Sequence, residues 1–166
     1  MMNFARFFAL MVLVLLTGCG SYRPLYGTNV NGSSVVTELA GMTVAEQKTR
    51  AGQLVRNDIL SGISSDGTSR YELRLVPSEN TSSVSSLAGT NVKRMKYALS
   101  VAFELVDLTS GTVIKQGTSF SNISYDTVRE PVADLQAANN ARDRAAKEIG
   151  QDLRLRLAAA LSSKSS

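Results

Sequence analysis

The chain contains no histidine, and its one cysteine is Cys19. Histidine, cysteine and paired carboxylates carry most acid–base and nucleophilic chemistry at neutral pH, and clusters of them hold metals. The acidic residues here are scattered or stand beside basic ones, as in Arg142-Asp143-Arg144, a pattern typical of a solvated helix face. No serine lies in a G-x-S-x-G turn, and no glycine-rich phosphate loop follows a strand. The sequence therefore predicts a protein that is not an enzyme and that uses neither a metal nor another cofactor.

A second cysteine and a strong net charge are also absent. With one cysteine an intrachain disulfide is impossible, so packing alone must hold the domain together. The formal net charge is +4, and no stripe of Lys and Arg with interleaved aromatic residues is present. The pattern excludes the usual nucleic-acid-binding footprint, whereas a mild positive balance suits a protein that handles anionic lipid.

No apolar run reaches the roughly 20 residues that a membrane-spanning helix requires. The apolar stretch 7–16 has ten residues, follows Arg6 and ends in Leu16-Thr17-Gly18-Cys19. This pattern is typical of a secretory signal peptide, here residues 1–18. The final tetrapeptide resembles the lipobox of bacterial lipoproteins, which implies cleavage before Cys19, a diacylglycerol on its sulfur and an acylated amine. The alternative is a plain signal peptide followed by a buried free thiol.

Acylation at Cys19 would decide where the protein works. One acyl chain holds a protein only marginally, whereas two or three on one residue attach it effectively permanently. We therefore expect a lipid-anchored protein of the outer membrane, on its periplasmic side, and Gly20 is compatible with that membrane by resemblance to enteric lipoproteins. Residues 19–34 are rich in Asn, Gly and Ser beyond Pro24 and are predicted to form a lipidated tether.

Removal of residues 1–18 leaves roughly 148 residues, which fits one domain, predicted over 35–161, with a disordered tail at 162–166. Its first elements are predicted as a strand over 35–44 and a helix over 46–62. The helix carries apolar residues at steps of three and four: Ala51, Leu54, Val55, Ile59 and Ile63. Thr43 with Glu46 fits a capping box, and Thr43 equally fits the end of the strand.

Three further strands follow in the sequence. Residues 71–76 alternate and end at Pro77, and 78–91 form a predicted loop rich in Ser, Thr and Asn. The next strand alternates for longest, with its apolar side made of Met95, Tyr97, Leu99, Val101, Phe103 and Leu105. A hairpin turn over 107–111, with Gly111 at positive φ, leads to the partner strand 112–125, where Gly117 is a candidate bulge.

A long helix over 132–161 is predicted to close the domain. Its stripe comprises Leu135, Ala138, Arg142, Ala145, Ile149, Leu153, Leu157 and Leu161. At about 1.5 Å per residue the helix would be about 45 Å long, so it is expected either to kink near Gly150 or to overhang the sheet. The order β-α-β-β-β-α predicts an α+β fold, a two-layer sandwich with two helices on one face of a roughly four-stranded mixed sheet.

A basic cluster marks the start of the long strand, at Lys93, Arg94 and Lys96, and Arg74 on the neighbouring strand is expected nearby. Several cations around one phosphate bind it through charge-assisted hydrogen bonds. The alternative is a sheet edge or open face that charge protects against aggregation.

A series of short motifs runs along the mature chain. It begins with Cys19-Gly20 and Tyr22-Arg23-Pro24-Leu25-Tyr26-Gly27 and continues with the block 50–57, Arg94, the turn 107–111, Ser124-Tyr125 and the Ala/Arg-rich last helix. In these residues and their order the chain resembles the alphaproteobacterial LPS-assembly lipoproteins, the LptE family. The implied fold is helices on one side of a small mixed sheet. The loop over 78–91 departs from the family.

The resemblance implies a non-catalytic lipoprotein that plugs the β-barrel LptD, helps to assemble it for lipopolysaccharide insertion into the outer leaflet, and can bind lipopolysaccharide directly. Because lipopolysaccharide carries acidic phosphates, Arg94, Lys96, Lys93 and Arg74 are candidate contacts by their chemistry. The alternative is a lipid-anchored carrier or accessory subunit of another envelope lipid-transport system, which predicts an apolar cavity for acyl chains.

Overall fold

The computed structural model describes residues 35–86 and 92–164. The predicted signal peptide, Cys19, the predicted tether, the end of the predicted loop and the last two residues lie outside these ranges. The elements are α1 (Val35–Ala40), β1 (Met42–Val44), α2 (Arg50–Ser61), β2 (Tyr71–Ser86), β3 (Lys93–Asp107), β4 (Val113–Thr127) and α3 (Pro131–Lys164). None of the helices in the described ranges is long and apolar enough to cross a membrane.

The predicted α+β architecture is confirmed. The four strands form one mixed sheet in the order β1-β2-β3-β4, with β1 parallel to β2 and the other pairs antiparallel. Helices α2 and α3 pack against each other and against the sheet. The apolar side of β3 faces them and is buried from Tyr97 to Leu105. The other side of the sheet, called the open face here, carries Arg74 and Val76 of β2, the even-numbered residues 94–104 of β3 and 116–126 of β4.

The first predicted strand is wrong over most of its length, because Val35–Ala40 is helical. Its β-branched residues favour a strand, but tertiary contacts decide the conformation. Leu39 is buried in the core, and Glu38 accepts a 2.9 Å hydrogen bond from the Tyr71 hydroxyl. The Gly41 carbonyl accepts from the amides of Arg70 and Tyr71, so pairing with β2 begins only at Met42.

The second helix begins later than predicted. Thr49, not Thr43, is its N-cap, and its side-chain oxygen accepts from the Gly52 amide at 3.1 Å. The predicted stripe is confirmed at Ala51, Val55 and Ile59, which are fully buried.

Strand β2 passes through Pro77, where the sequence predicted its end, and continues to Ser86. Pro77 is tolerated because its missing N–H lies on the side of β2 away from β3. On that same side the Leu73 carbonyl accepts from the Ala45 amide, and the Leu75 carbonyl accepts from Gln47 Nε2. Backbone direction alternates along a strand, so residue 77 faces the same way. Most of the predicted loop 78–91 is therefore strand.

The β3–β4 hairpin is confirmed, and Gly111 has a φ of 70°. The bulge is not at Gly117: the register skips Ile114, since Leu105 pairs with Lys115 and Val106 with Val113. Gly117 lies opposite Phe103, and a β carbon there would lie 3.2 Å from Phe103 Cε1. Glycine at 117 therefore makes room for the aromatic ring.

Helix α3 is continuous through Gly150 and runs along the strands, not across them. Arg142 lies over the Tyr97 ring, and Lys164 bonds to Asp107. Along β3, ten residues separate Tyr97 from Asp107, about 34 Å. Along α3, 22 residues separate Arg142 from Lys164, about 33 Å. The helix is uninterrupted at Gly150, where a kink was one of the two expectations, and over this span its length matches that of the strand. Residues 131–140 bury no side chain. The buried stripe begins only at Ala141, and Leu135 is 64% exposed. The predicted tail is helical as far as Lys164.

Candidate functional site

The three cations of the predicted cluster lie together at one end of the sheet. This end, called the basic end here, comprises Ser85, residues 93–96 and residues 124–127, which face one another across β2, β3 and β4. Arg94 and Lys96 belong to the open face, while Lys93 lies on the other side of β3 by strand alternation. All three side chains are exposed.

Arg94 is engaged by a carboxylate across the sheet. Its Nε and Nη2 donate to the two oxygens of Asp126 at 2.9 and 3.1 Å. The hydrogen bond and charge of Asp126 raise the pKa of Arg94, and those of Arg94 lower the pKa of Asp126. Within the described ranges, neither Lys93 nor Lys96 has a carboxylate within 4.0 Å. The basic end therefore offers two ammonium groups, and Asp126 competes with any anion for the guanidinium.

Arg74 does not belong to this cluster, contrary to the prediction. The register places it opposite Glu104, ten residues along β3 from Arg94 and thus about 34 Å away. Its Nε donates to Glu72 at 2.7 Å. It lies towards the other end of the sheet, called the turn end here, which comprises Tyr71, Asp107 and the turn 108–111.

Exposed apolar side chains surround the basic end, and the sequence predicted none of them there. Val84 lies in the irregularity where the register of β2 skips from Ser83 to Ser85, and it is 57% exposed. Beyond β4 the chain exposes Val128, Val132 and Leu135, which are 45%, 83% and 64% exposed. Cations beside apolar side chains are complementary to an amphiphile with a phosphate-bearing head.

A network under the basic end fixes α3 to the sheet. Glu79 accepts from the Tyr97 hydroxyl at 2.6 Å and from Arg142 Nε at 3.2 Å. Arg142 lies 5.7 Å from the centre of the Tyr97 ring, a cation–π distance. Burial raises the pKa of Tyr97, with a further contribution from its bond to Glu79, so the phenol stays a donor. Arg142 interrupts the apolar stripe because it belongs to this network.

A second network lies at the turn end, where the chain enters the domain through α1. The Tyr71 hydroxyl donates to Glu38, and both Arg70 and Lys164 lie over the Tyr71 ring. Lys164 also bonds to Asp107. Thirteen residues of β3 separate Asp107 from Arg94, about 44 Å. The entry point of the N-terminal segment and the basic end are therefore at opposite ends of the molecule.

Within the described ranges no three Asp, Glu, His or Cys residues come together in a way that would hold a metal ion. The carboxylates of the two networks bond to Tyr, Arg or Lys side chains. Cys19, the predicted acylation site, lies outside the described residues.

Comparison with known proteins identifies the fold. No protein-family model and no curated protein matches the chain. A crystal structure of a protein from Caulobacter crescentus CB15, provisionally named a lipoprotein, is 24% identical, with a TM-score of 0.65 over 78% of this chain and 96% of that one. A minor lipoprotein from Acinetobacter baumannii is 13% identical, with a TM-score of 0.52 over 71% and 90%. These likenesses establish a shared fold.

Proposed function

We propose that this protein is a non-catalytic outer-membrane lipoprotein, anchored through Cys19 on the periplasmic side. In this proposal it plugs an LptD-like β-barrel, helps to assemble it and contacts the lipopolysaccharide that the barrel inserts. The observation that carries the proposal is a lipobox-like N-terminus on a chain that shares its fold with two proteins named as lipoproteins.

The shape and surface of the domain support a plug. The strands of 15 and 16 residues are about 50 Å long, comparable to the full thickness of a membrane. The middle rows of the open face carry no charged side chain: small residues such as Ser100, Ala102, Thr118 and Asn122 lie beside two exposed apolar ones, Val76 and Phe120. Barrel interiors are polar, so a face that is polar over most of these rows fits a lumen better than it fits lipid.

The basic end supports contact with lipopolysaccharide. Lys93 and Lys96 are available to acidic phosphates, and Val128, Val132 and Leu135 offer apolar surface to the adjoining acyl chains. The anchored N-terminal segment enters the domain at the turn end, so the basic end lies on the side of the domain away from the anchor. In this proposal, lipopolysaccharide that reaches that side contacts the basic end.

The carrier alternative requires a sheltered apolar cavity. A depression of about 600 Å³ lies between β4 and the end of α3, and Lys115, Arg156 and Lys164 contribute to its lining. A second, of about 430 Å³, lies on the open face and includes Arg74 and Glu104. Both are open to solvent and lined partly by charge, so neither favours storage of acyl chains.

Affinity purification from gently solubilised membranes tests the proposal. We expect the acylated, tagged protein to co-purify with a large outer-membrane barrel at equal stoichiometry, and mass spectrometry identifies the barrel. Such stable retention is expected of an interface larger than the standard size of about 1,600 Å². Recovery of the free lipoprotein alone would contradict the proposal, and so would a Cys19 residue without acyl chains.

A further inference from the structure

The two long edges of the sheet differ in how they are protected. On the β2 edge, β1 and the Gln47 side chain cover residues 71–75. Pro77 then removes a donor, and the irregularity at Val84 interrupts the remainder. Short covering strands, proline and bulges are the devices that prevent an edge from pairing with another chain.

The β4 edge lacks these devices along most of its length. Residues 113–127 contain no proline, and the ten residues from Gln116 to Tyr125 include no charged side chain. The bulge at Ile114 lies at the very start of the strand. Lysine, the usual guard of an edge, occurs only at Lys115.

The backbone of β4 presents its unpaired groups in a regular pattern. The Thr118 carbonyl accepts from Arg156 Nη1 at 3.2 Å, which places this group on the side away from β3. By antiparallel alternation the even-numbered residues from Gln116 to Asp126 share that direction. Among the hydrogen bonds within the described ranges, this is the one by which a side chain of another element reaches an outward main-chain group of β4. The remaining outward N–H and C=O groups are matched in spacing only by a further β-strand.

We propose that the edge of β4, from Gln116 to Asp126, pairs with an extended strand of the barrel protein during its assembly. The proposal rests on the proposed function. The open edge is eleven residues long, and a transmembrane β-strand has about 9–11 residues. A closed barrel has no free edge, so the occupant is the edge strand of a barrel that has not yet closed. Strand addition supplies affinity through main-chain hydrogen bonds and tolerates varied side chains.

A pair of substitutions at Asn122 separates the backbone from the side chain. Asn122→Pro removes the outward N–H and leaves the hydrogen bonds to β3 intact, whereas Asn122→Ala removes only the side chain. The readout is the amount of folded barrel in cells that express each variant as the sole copy. We expect Asn122→Pro to lower it about threefold to tenfold, as for loss of one hydrogen bond with added steric conflict, and Asn122→Ala to leave it unchanged. Equal yields from Asn122→Pro and wild type would overturn the proposal.

Site-specific photo-cross-linkers at Thr118, Asn122 and Asp126 provide a readout that needs no proline. Strand pairing predicts cross-links to partner residues that step along one segment at a constant spacing. Cross-links scattered over the barrel, or their absence while the barrel still co-purifies, would overturn edge pairing and leave the proposed function intact. If depletion of the wild-type protein leaves the yield of folded barrel unchanged, the proposed function itself fails. Circular dichroism of Asn122→Pro establishes that a lower yield does not come from unfolding.

Discussion

Glu79 links α3 to β3 beneath the basic end, through its bonds to Arg142 and Tyr97. The Tyr97 hydroxyl is the main cause that lowers the pKa of Glu79 below its ordinary value of 4.5, and Arg142 adds to the effect. A carboxylate with a depressed pKa stabilises the fold above its unfolded-state pKa, and the stabilisation is lost as the pH falls through the folded-state value. The contribution of Glu79 is therefore present at neutral pH and disappears in acid.

We expect Glu79→Gln to lower the free energy of unfolding at pH 7 by less than about 1 kcal/mol, since the side chain is partly solvated. The difference from wild type should shrink below about pH 4.5. Urea unfolding across the range from neutral to acidic pH measures it. Glu104→Gln is the matched control, because Glu104 is an exposed carboxylate of the open face that makes no ion pair within the described ranges. A difference that stays constant with pH would contradict the role of the Glu79 carboxylate.

Among the elements, the crossing of α2 and α3 depends on glycine. A β carbon at Gly150 would lie 2.9 Å from Asp58 Cγ and 3.0 Å from Asp58 Cβ. Asp58 also bonds to Arg154 Nη1 through Oδ2 at 2.7 Å. At Gly62, on the other side of the crossing, a β carbon would lie 2.8 Å from Arg154 Cδ. Both glycines allow the two helices to approach closely around one ion pair.

Gly150→Ala should therefore destabilise the protein although alanine favours helix. The intrinsic gain is about 0.5–1 kcal/mol, and overpacking costs about 1–3 kcal/mol. We expect a net loss of about 1–2 kcal/mol in chemical unfolding. The same substitution in an Asp58→Ala background should cost less, because the carboxylate is gone, and a double-mutant cycle measures the coupling. Equal costs in both backgrounds would show that Gly150 does not act through Asp58.

The sequence correctly predicted the elements whose own hydrophobic pattern determines their secondary structure. In β3 the strict alternation coincides with one face under the helices, and the stripe of α2 coincides with its packing. The second half of β2 is polar because one of its faces is open and few residues cover the other, so its composition resembled that of a loop. Only pairing with β3 identifies it as a strand. In α1, tertiary contacts of Leu39 and Glu38 override the β propensity of its valines.

The same distinction applies to the candidate site. Lys93, Arg94 and Lys96 are neighbours in the chain, so the sequence alone placed them together. Arg74 required the register of β2 against β3, which a single sequence does not provide, and Asp126 joins Arg94 only through the register of β4. The sequence does not show that Val84, Val128 and Val132 are exposed beside these cations, because their exposure depends on where β2, β4 and α3 begin and end.

In the whole molecule, the proposed anchor and the proposed lipid contact are separable. Residues 19–34 join Cys19 to α1 at the turn end, and the basic end lies about 44 Å further along β3. We therefore expect Arg94→Ala with Lys96→Ala to weaken binding of lipopolysaccharide about tenfold at low salt, and less at high salt, where screening already reduces the attraction. Acylation of Cys19 should be unaffected, as measured by mass spectrometry.

Two control variants test whether binding of lipopolysaccharide depends on the basic end itself. Arg74→Ala removes a cation from the same open face about 34 Å from Arg94, so binding of lipopolysaccharide should remain close to wild type. Cys19→Ala should abolish acylation, while affinity for lipopolysaccharide in detergent persists, because the basic end does not depend on the anchor. Affinity is measured by titration with purified lipopolysaccharide at two salt concentrations. If Arg74→Ala weakens binding as much as the double variant does, the charge of the whole open face, not the basic end, attracts the lipid.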